Sequence, residues 1–325
     1  MAPTDTHGRR ISYLRLSVTD RCNLRCQYCM PAKGIPKLKH GDILSFEELH
    51  RIARLAVSLG IEKIRVTGGE PLVRKGVLPF LRNLADIDGL KELVLTTNGM
   101  RLRECAAELR RAGVQRLNVS LDSMQPGTYS TLTRGGDLRQ ALDGIAAAEK
   151  AGFPPVKINT VVIRGINDNE LLDFADLTLR SAHQVRFIEC MPTNTAPDWP
   201  STFVSGEEIL KRIGKVYPIQ SLPNTGAAGP AKLFKIPGAQ GTLGIITPIS
   251  QHFCEECNRI RVTATGIVKG CLFDNGTLSL KPYFERNDDE LRAVLYGVLR
   301  NKPDRHHLLD KDTLIQPFSM SEIGG

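Results

Sequence analysis

The sequence predicts an α/β fold in which six strand–helix units form a parallel sheet, followed by a smaller region of different character. Short β-branched runs alternate with longer stretches of helical apolar spacing from residue 9 to about residue 191. Single helices between strands force parallel neighbours, because a parallel pair needs a crossover connection. Runs such as Leu93-Val94-Leu95 and Val161-Val162-Ile163 are almost continuously apolar, as expected of strands buried on both faces. Periodicity alone does not separate an open sheet from part of a barrel.

The units follow in order. Residues 11–18 form the first strand and run straight into a cysteine-rich loop. A helix over 45–59 starts at Ser45, with Glu48 three residues later as a capping box, and stops at Gly60. Strand 63–67 ends in Gly68-Gly69-Glu70-Pro71 and leads to a helix over 77–84. Strand 92–97 ends in Asn98-Gly99, and a helix over 103–112 stops at Gly113. Strand 116–121, a polar loop and a helix over 138–151 make the fourth unit. Strand 156–163 with a helix over 169–180 makes the fifth, and 185–190 is the sixth strand. Beyond Met191 the βα rhythm stops: 192–250 is rich in Pro and Gly, with a short helix near 207–212 and a loop over 224–230. A late helix over 289–299 precedes a polar tail ending in Gly324-Gly325. The expected division is therefore 9–191 and 192–325.

Composition is that of an ordinary globular chain, 41% hydrophobic and 24% charged, without an apolar run of membrane-spanning length. The polar N-terminus has no apolar signal segment, so a cytoplasmic location without membrane association is expected. The net charge of +8 points to an anionic partner, but it is spread along the chain, which argues against nucleic acid.

Six of the eight cysteines fall into two tight sets, which reads as metal or catalysis rather than a disulfide framework. The first is Cys22-Asn23-Leu24-Arg25-Cys26-Gln27-Tyr28-Cys29. Three thiolates in one compact loop suit a four-iron cluster and leave one iron open, with Tyr28 placed to cover that corner. Zinc usually takes four ligands in paired C-x2-C knuckles, so the uneven spacing suits it poorly. The second set is Cys254-Glu255-Glu256-Cys257, with Cys271 after thirteen intervening residues. Alone it also allows zinc with His252 or His306 as fourth ligand. Beside the first set it looks like a second iron–sulfur cluster, again with an open iron that can bind substrate. Cys105 and Cys190 read as small apolar residues.

The first cysteine pattern resembles the radical S-adenosylmethionine (SAM) enzymes, whose fold is a six-unit partial barrel. In them the open iron chelates SAM, and an electron from the cluster splits it to a 5′-deoxyadenosyl radical. The Cys257-Asn258-Arg259-Ile260-Arg261 segment, Cys271-Leu272-Phe273 and the terminal Met320-Ser321-Glu322-Ile323-Gly324-Gly325 narrow the likeness. Together they closely resemble the GTP 3′,8-cyclase family that begins molybdenum cofactor biosynthesis, over essentially the whole chain. Departures are small: Thr265, Lys269 and Cys190 stand where the family more often has Asp, Arg and a larger apolar residue.

The resemblance implies two 4Fe–4S clusters, held by Cys22, Cys26 and Cys29 and by Cys254, Cys257 and Cys271. It implies that Tyr28, Gly69, Ser120 and Met191 contact SAM, and that Gly324 and Gly325 assist catalysis. GTP is assigned to Arg15, Lys63, Arg65, Thr96, Lys157, Arg186, Arg259, Ile260 and Arg261. Five of these, Arg15, Lys63, Arg65, Lys157 and Arg186, lie in or beside predicted strands, where a basic side chain is costly if buried unpaired. A triphosphate of about four negative charges is the kind of ligand such residues suit. The implied reaction takes the ribose 3′ hydrogen of GTP, joins the sugar to guanine carbon 8 and adds one electron and a proton, giving the 3′,8-cyclised dihydro-GTP. It requires an external one-electron donor and a downstream cyclic pyranopterin monophosphate synthase, and a homodimer is compatible with it. Two other readings stand beside it. A peptide-modifying radical SAM maturase would commonly carry more auxiliary cysteines and lack the Gly-Gly tail. A zinc-bearing nucleic-acid binder would be colourless and bind with strong salt dependence.

Overall fold

The computed structural model describes residues 3–36, 38–193, 198–223, 229–274, 278–306 and 320. The expected strand–helix units are present: β1 (Tyr13–Ser17), α1 (Phe46–Ser58), β2 (Lys63–Thr67), α2 (Val77–Ala85), β3 (Glu92–Thr97), α3 (Leu102–Arg111) and β4 (Arg116–Ser120). They continue with α4 (Pro126–Thr133), α5 (Leu138–Lys150), β5 (Lys157–Val162), α6 (Leu171–Arg180) and β6 (Gln184–Glu189). Both halves of the Ser45 capping box form, Glu48 N donating to Ser45 Oγ at 3.1 Å and Ser45 N to Glu48 Oε2 at 2.7 Å. The helix α4 replaces the expected polar loop.

After β6 come α7 (Trp199–Thr202), α8 (Gly206–Gly214), β7 (Gln220–Leu222), β8 (Lys232–Lys235), β9 (Thr242–Ile246), β10 (Arg259–Val262), β11 (Ile267–Lys269), β12 (Leu278–Ser279) and α9 (Asp288–Arg300). Among the described residues these join one sheet in the order β12-β11-β10-β1-β2-β3-β4-β5-β6-β9-β8-β7. β10 pairs in parallel with β1, and β9 in parallel with β6, so the parallel array is eight strands wide rather than six. The rhythm expected to end at Met191 is thus carried one strand further on each edge. The loop over 224–230 lies largely outside the described residues, as do Gly324 and Gly325. No described helix is long and apolar enough to cross a membrane.

Alternation along the strands separates two faces. Leu14, Leu16, Ile64, Val66, Leu95, Leu117, Val119, Ile158 and Phe187 point to the helices and are buried. The opposite face carries Tyr13, Arg15, Arg65, Thr96, Ser120, Asn159, Arg186, Arg259 and Arg261, all of which line one cavity. The expectation of strands apolar on both faces holds on the helix side only. The buried carboxylate of Glu189, at the end of β6, fastens the later region to this frame by accepting from the backbone of Gly206 (2.8 Å), Ile249 (3.1 Å) and Ser250 (3.0 Å).

Candidate active site

The cavity holds about 1810 Å³ of empty space, counting its solvent-open mouth, and all six clustered cysteines line it. Strand direction places them. Cys22 follows the C-terminal end of β1, whereas Cys257 precedes the N-terminal end of its parallel neighbour β10. β11 runs antiparallel to β10, so Cys271, which follows β11, returns to the same end as Cys257. The two sets therefore sit at opposite ends of the strands, roughly 15 Å apart by the rise of a five-residue strand.

The first set is held by backbone. Gly69 N donates to Thr19 O (2.7 Å) and Glu70 N to Arg21 O (2.8 Å), pinning the loop that leads into Cys22. A Cβ at residue 69 would lie 2.4 Å from Arg21 O, so only glycine fits this approach. Glu70 is buried and accepts from Leu72 N (3.0 Å), Thr97 Oγ1 (2.9 Å) and Asn98 N (2.7 Å), joining the ends of β2 and β3. Burial raises its carboxyl to about 7 against the pull of those donors. Asn98 Nδ2 lies 3.8 Å from Cys22 Sγ. On the other side, Arg25 N and Gln27 N donate to the carbonyls of Thr133 (3.1 Å) and Leu132 (2.9 Å) at the end of α4. Arg134, whose φ is 55°, donates to the carbonyls of Arg25 (3.0 Å) and Met30 (2.7 Å). Tyr28 is fixed by its hydroxyl, which donates to Asp122 Oδ2 at 2.8 Å. Asp122 is itself buried, which lifts its carboxyl to about 6.

The donor sets fit the groups they would hold. None of the described cysteines is in a disulfide. In the first set burial raises all three thiols, Cys22 to about 11 and Cys29 to about 12, so a metal is what would keep them as thiolates. In the second set burial acts the same way on Cys257, but Arg259 and Lys302 outweigh it and bring the thiol down to about 6. Among the described residues no three His, Cys, Asp or Glu side chains converge on a single-ion position. His252 and His306 line the cavity with their rings 5.3 Å apart.

Between the sets lie the cations. Arg261, Arg15 and Arg65 stand in register on β10, β1 and β2, and Arg259, Tyr13 and Lys63 form the row beside them. Like charges directly opposite one another destabilise a sheet. Burial depresses Arg15 well below its usual range, reinforced by Arg261 and Arg65, and lowers Arg261 to about 10 and Arg186 to about 9. Gly244 on β9 leaves the space that the Arg186 side chain fills, its would-be Cβ lying 3.1 Å from Arg186 Cγ. Among the described residues Tyr13 Oη, Arg65 Nε, Thr96 Oγ1, Asn159 Oδ1 and Arg261 Nη1 are buried without a hydrogen-bond partner. Polar atoms of this kind suit a polar ligand in the cavity.

Of the residues expected to contact SAM, Tyr28, Gly69, Ser120 and Met191 all line the cavity. Of those expected to contact GTP, Arg15, Arg65, Thr96, Arg186, Arg259 and Arg261 do so, whereas Lys63, Lys157 and Ile260 are not in its lining. Lys63 pairs with Glu92 at the start of β2 and β3. Lys157, at the start of β5, is brought down to about 7 by burial and by Arg186, Lys63 and Arg116. Ile260 is wholly buried in the apolar core, because alternation turns it away from the face that Arg259 and Arg261 share. Its side chain therefore cannot touch a ligand in the cavity. Tyr13 and Asn159 also line the cavity without any marking in the sequence beyond lying two residues from Arg15 and Lys157 on the same strand faces.

The chain matches a model of the radical SAM superfamily over residues 16–178 and one of the molybdenum cofactor synthesis C-terminal region over 183–308. It is 57% identical over 322 residues to the GTP 3′,8-cyclase of Geobacter sulfurreducens, covering 99% of both chains. The chain belongs to the GTP 3′,8-cyclase family. A second member of that family, from Alkaliphilus metalliredigens, is 48% identical over 99% of both chains. Membership of the radical SAM superfamily implies a 4Fe–4S cluster and SAM. Among solved structures, Streptococcus suis SuiB bound to S-adenosylmethionine superposes with a TM-score of 0.63 at 13% identity, over 88% of this chain and 65% of SuiB. SuiB bound to its precursor peptide SuiA gives 0.66 at 12% identity, over 95% of this chain and 69% of that one. At such identity the likeness concerns the radical SAM α/β fold, here with a mixed sheet, and places this GTP 3′,8-cyclase family chain within it.

Proposed function

We propose that this enzyme converts GTP to (8S)-3′,8-cyclo-7,8-dihydroguanosine 5′-triphosphate, the first step of molybdenum cofactor biosynthesis. The observation that carries the reading is the row Arg261-Arg15-Arg65, the first buried and the other two half-buried, lying between two cysteine sets that face one cavity from opposite ends. Three adjacent guanidinium groups are a costly arrangement in the free protein and a good one for a polyphosphate, because Arg binds phosphate with paired charge-assisted hydrogen bonds.

In this reading the parallel strands curve into a partial barrel around the cavity. Residues 9–191 hold the radical-generating end, and residues 192–325 add a second cluster-binding region. Cys22, Cys26 and Cys29 would hold the first 4Fe–4S cluster, with Tyr28, Gly69, Ser120 and Met191 around SAM. Cys254, Cys257 and Cys271 would hold the second cluster, which would help to seat the guanine at that end. Together, the first cluster and SAM would supply the radical chemistry that takes the ribose 3′ hydrogen. The side chains of Arg15, Arg65, Thr96, Arg186, Arg259 and Arg261 then fix the triphosphate and ribose between the two ends. Lys63 and Lys157 add charge from the strand starts, and Ile260 contributes through backbone. Such positioning matters because a misplacement of about 1 Å can cost 100-fold in rate. The electron comes from an external donor, and the product passes to a cyclic pyranopterin monophosphate synthase.

Anaerobic incubation of the iron-loaded protein with GTP, SAM and dithionite tests the reading. The expected result is one 5′-deoxyadenosine per cyclised nucleotide. Uncoupled 5′-deoxyadenosine without any new nucleotide, from protein with both clusters intact, would refute it. Arg261→Ala should lower GTP turnover by about 10- to 100-fold, as expected for losing a charge-assisted hydrogen bond, and leave uncoupled SAM cleavage in place.

A further inference from the structure

Lys302, just after α9, is a charged side chain that is only 2% exposed. Its ammonium donates to Gly270 O at 2.7 Å, next to Cys271, and no carboxylate pairs with it among the described residues. The carboxylates nearest in sequence to the second cysteine set, Glu255 and Glu256, are exposed. Arg9 is buried beside it and donates to the carbonyls of Cys254 (2.8 Å), Lys302 (3.1 Å) and Pro303 (2.6 Å). Arg9 already has its counter-charge, Asp5 at 2.7 Å. Lys302 does not. An uncompensated ammonium in a buried site is expensive unless an anion shares the site.

We propose that Lys302 is a positioning residue for the second cysteine set, its ammonium balancing the negative charge of a thiolate-ligated cluster while its bond to Gly270 holds the Cys271 loop. This rests on the second-cluster reading given above. The lysine lies outside the cavity lining and needs no contact with GTP or SAM.

The test compares the full chain with its Lys302→Met and Lys302→Arg variants, each reconstituted anaerobically. Iron loss to a chelator and the melting temperature of iron-loaded and iron-free protein are followed. Outer partners of metal ligands typically matter by about 10- to 100-fold in metal affinity. Lys302→Met should therefore lose the iron of one cluster at least tenfold faster, with Lys302→Arg close to wild type. Lys302→Met should melt lower by more with iron than without it, because in the iron-free protein removal of the buried charge offsets the lost bond to Gly270. Equal lowering in both states, iron retention at the wild-type rate, or an arginine variant as impaired as the methionine one would overturn the proposal. A wild-type chain that binds only one cluster would instead refute the second-cluster reading itself.

Discussion

Replacing Gly69 with alanine tests how the first cysteine loop is held. The new Cβ would lie 2.4 Å from Arg21 O, 2.6 Å from Arg21 C and 2.7 Å from Asp20 O. All three are backbone atoms, so no side chain can swing aside. Restoring ordinary contact requires the 20–21 backbone to retreat by about 1 Å. That retreat disturbs the hydrogen bonds from Gly69 N to Thr19 O (2.7 Å) and from Glu70 N to Arg21 O (2.8 Å). Two such bonds are worth about 2 kcal/mol together, and overpacking adds about 1 kcal/mol or more. The expected loss is about 3 kcal/mol, read by urea unfolding of the iron-free protein. Because the displaced residues lead straight into Cys22, 5′-deoxyadenosine formation should fall by about 100-fold. Gly41→Ala, where nothing lies within 4 Å of the added carbon, is the control and should change neither measurement. A Gly69→Ala variant within about 0.5 kcal/mol of wild type, the scatter of ordinary surface substitutions, and with unchanged SAM cleavage would refute the steric reasoning.

Two further outcomes follow from the same geometry. Burial and the neighbouring cations bring Lys157 to about 7, so at pH 8 it is mostly neutral in the free folded protein. A bound triphosphate favours the ammonium, so binding should take up a proton, and affinity should fall as pH rises through 7. Calorimetry of GTP binding at pH 8 in buffers of different ionisation enthalpy measures the uptake, above the range where a terminal phosphate titrates. Lys157→Met should abolish it, and equal uptake in that variant would contradict the assignment. Arg134→Ala removes the donors to the Arg25 and Met30 carbonyls but keeps a side chain at a φ of 55°, whereas Arg134→Gly removes both donors and strain. Both should lose iron from the first set faster, and the glycine variant should be the more stable by about 1 kcal/mol in urea unfolding.

What the sequence made legible depended on whether a residue's neighbours lie close in the chain. β1 to β6 are β-branched and apolar enough on the helix side to announce themselves, and Ser45 with Glu48 marks α1 by a local rule. The helix α4 has no such mark: Pro-Gly-Thr-Tyr-Ser-Thr-Leu-Thr lacks helical apolar spacing, and burial of Tyr129, Leu132 and Thr133 supplies what propensity does not. The sequence of β10 stands out as a motif beside Cys257 more than as a strand. Yet Arg259-Ile260-Arg261-Val262 alternates as a half-buried strand should, and that alternation removes Ile260 from the cavity. The basic strand positions could be found in sequence because charge is conspicuous there. Tyr13 and Asn159 are inconspicuous residue types, identified only by the face they share. The anchoring of Cys254 by Arg9, which is 245 residues distant, leaves no trace in local sequence.

The pairing of β10 with β1 and of β9 with β6 also bears on how the chain comes to be folded. As the polypeptide leaves the ribosome, both margins of the growing sheet present unpaired backbone until residues 242–262 emerge. At about 5–20 residues per second that interval lasts several seconds after β6 is made. Open parallel margins flanked by apolar side chains invite pairing with other nascent chains. The two late strands close both margins at once, so the segment that carries the second cysteine set also completes the fold, and a chain arrested before it would be exposed to aggregation.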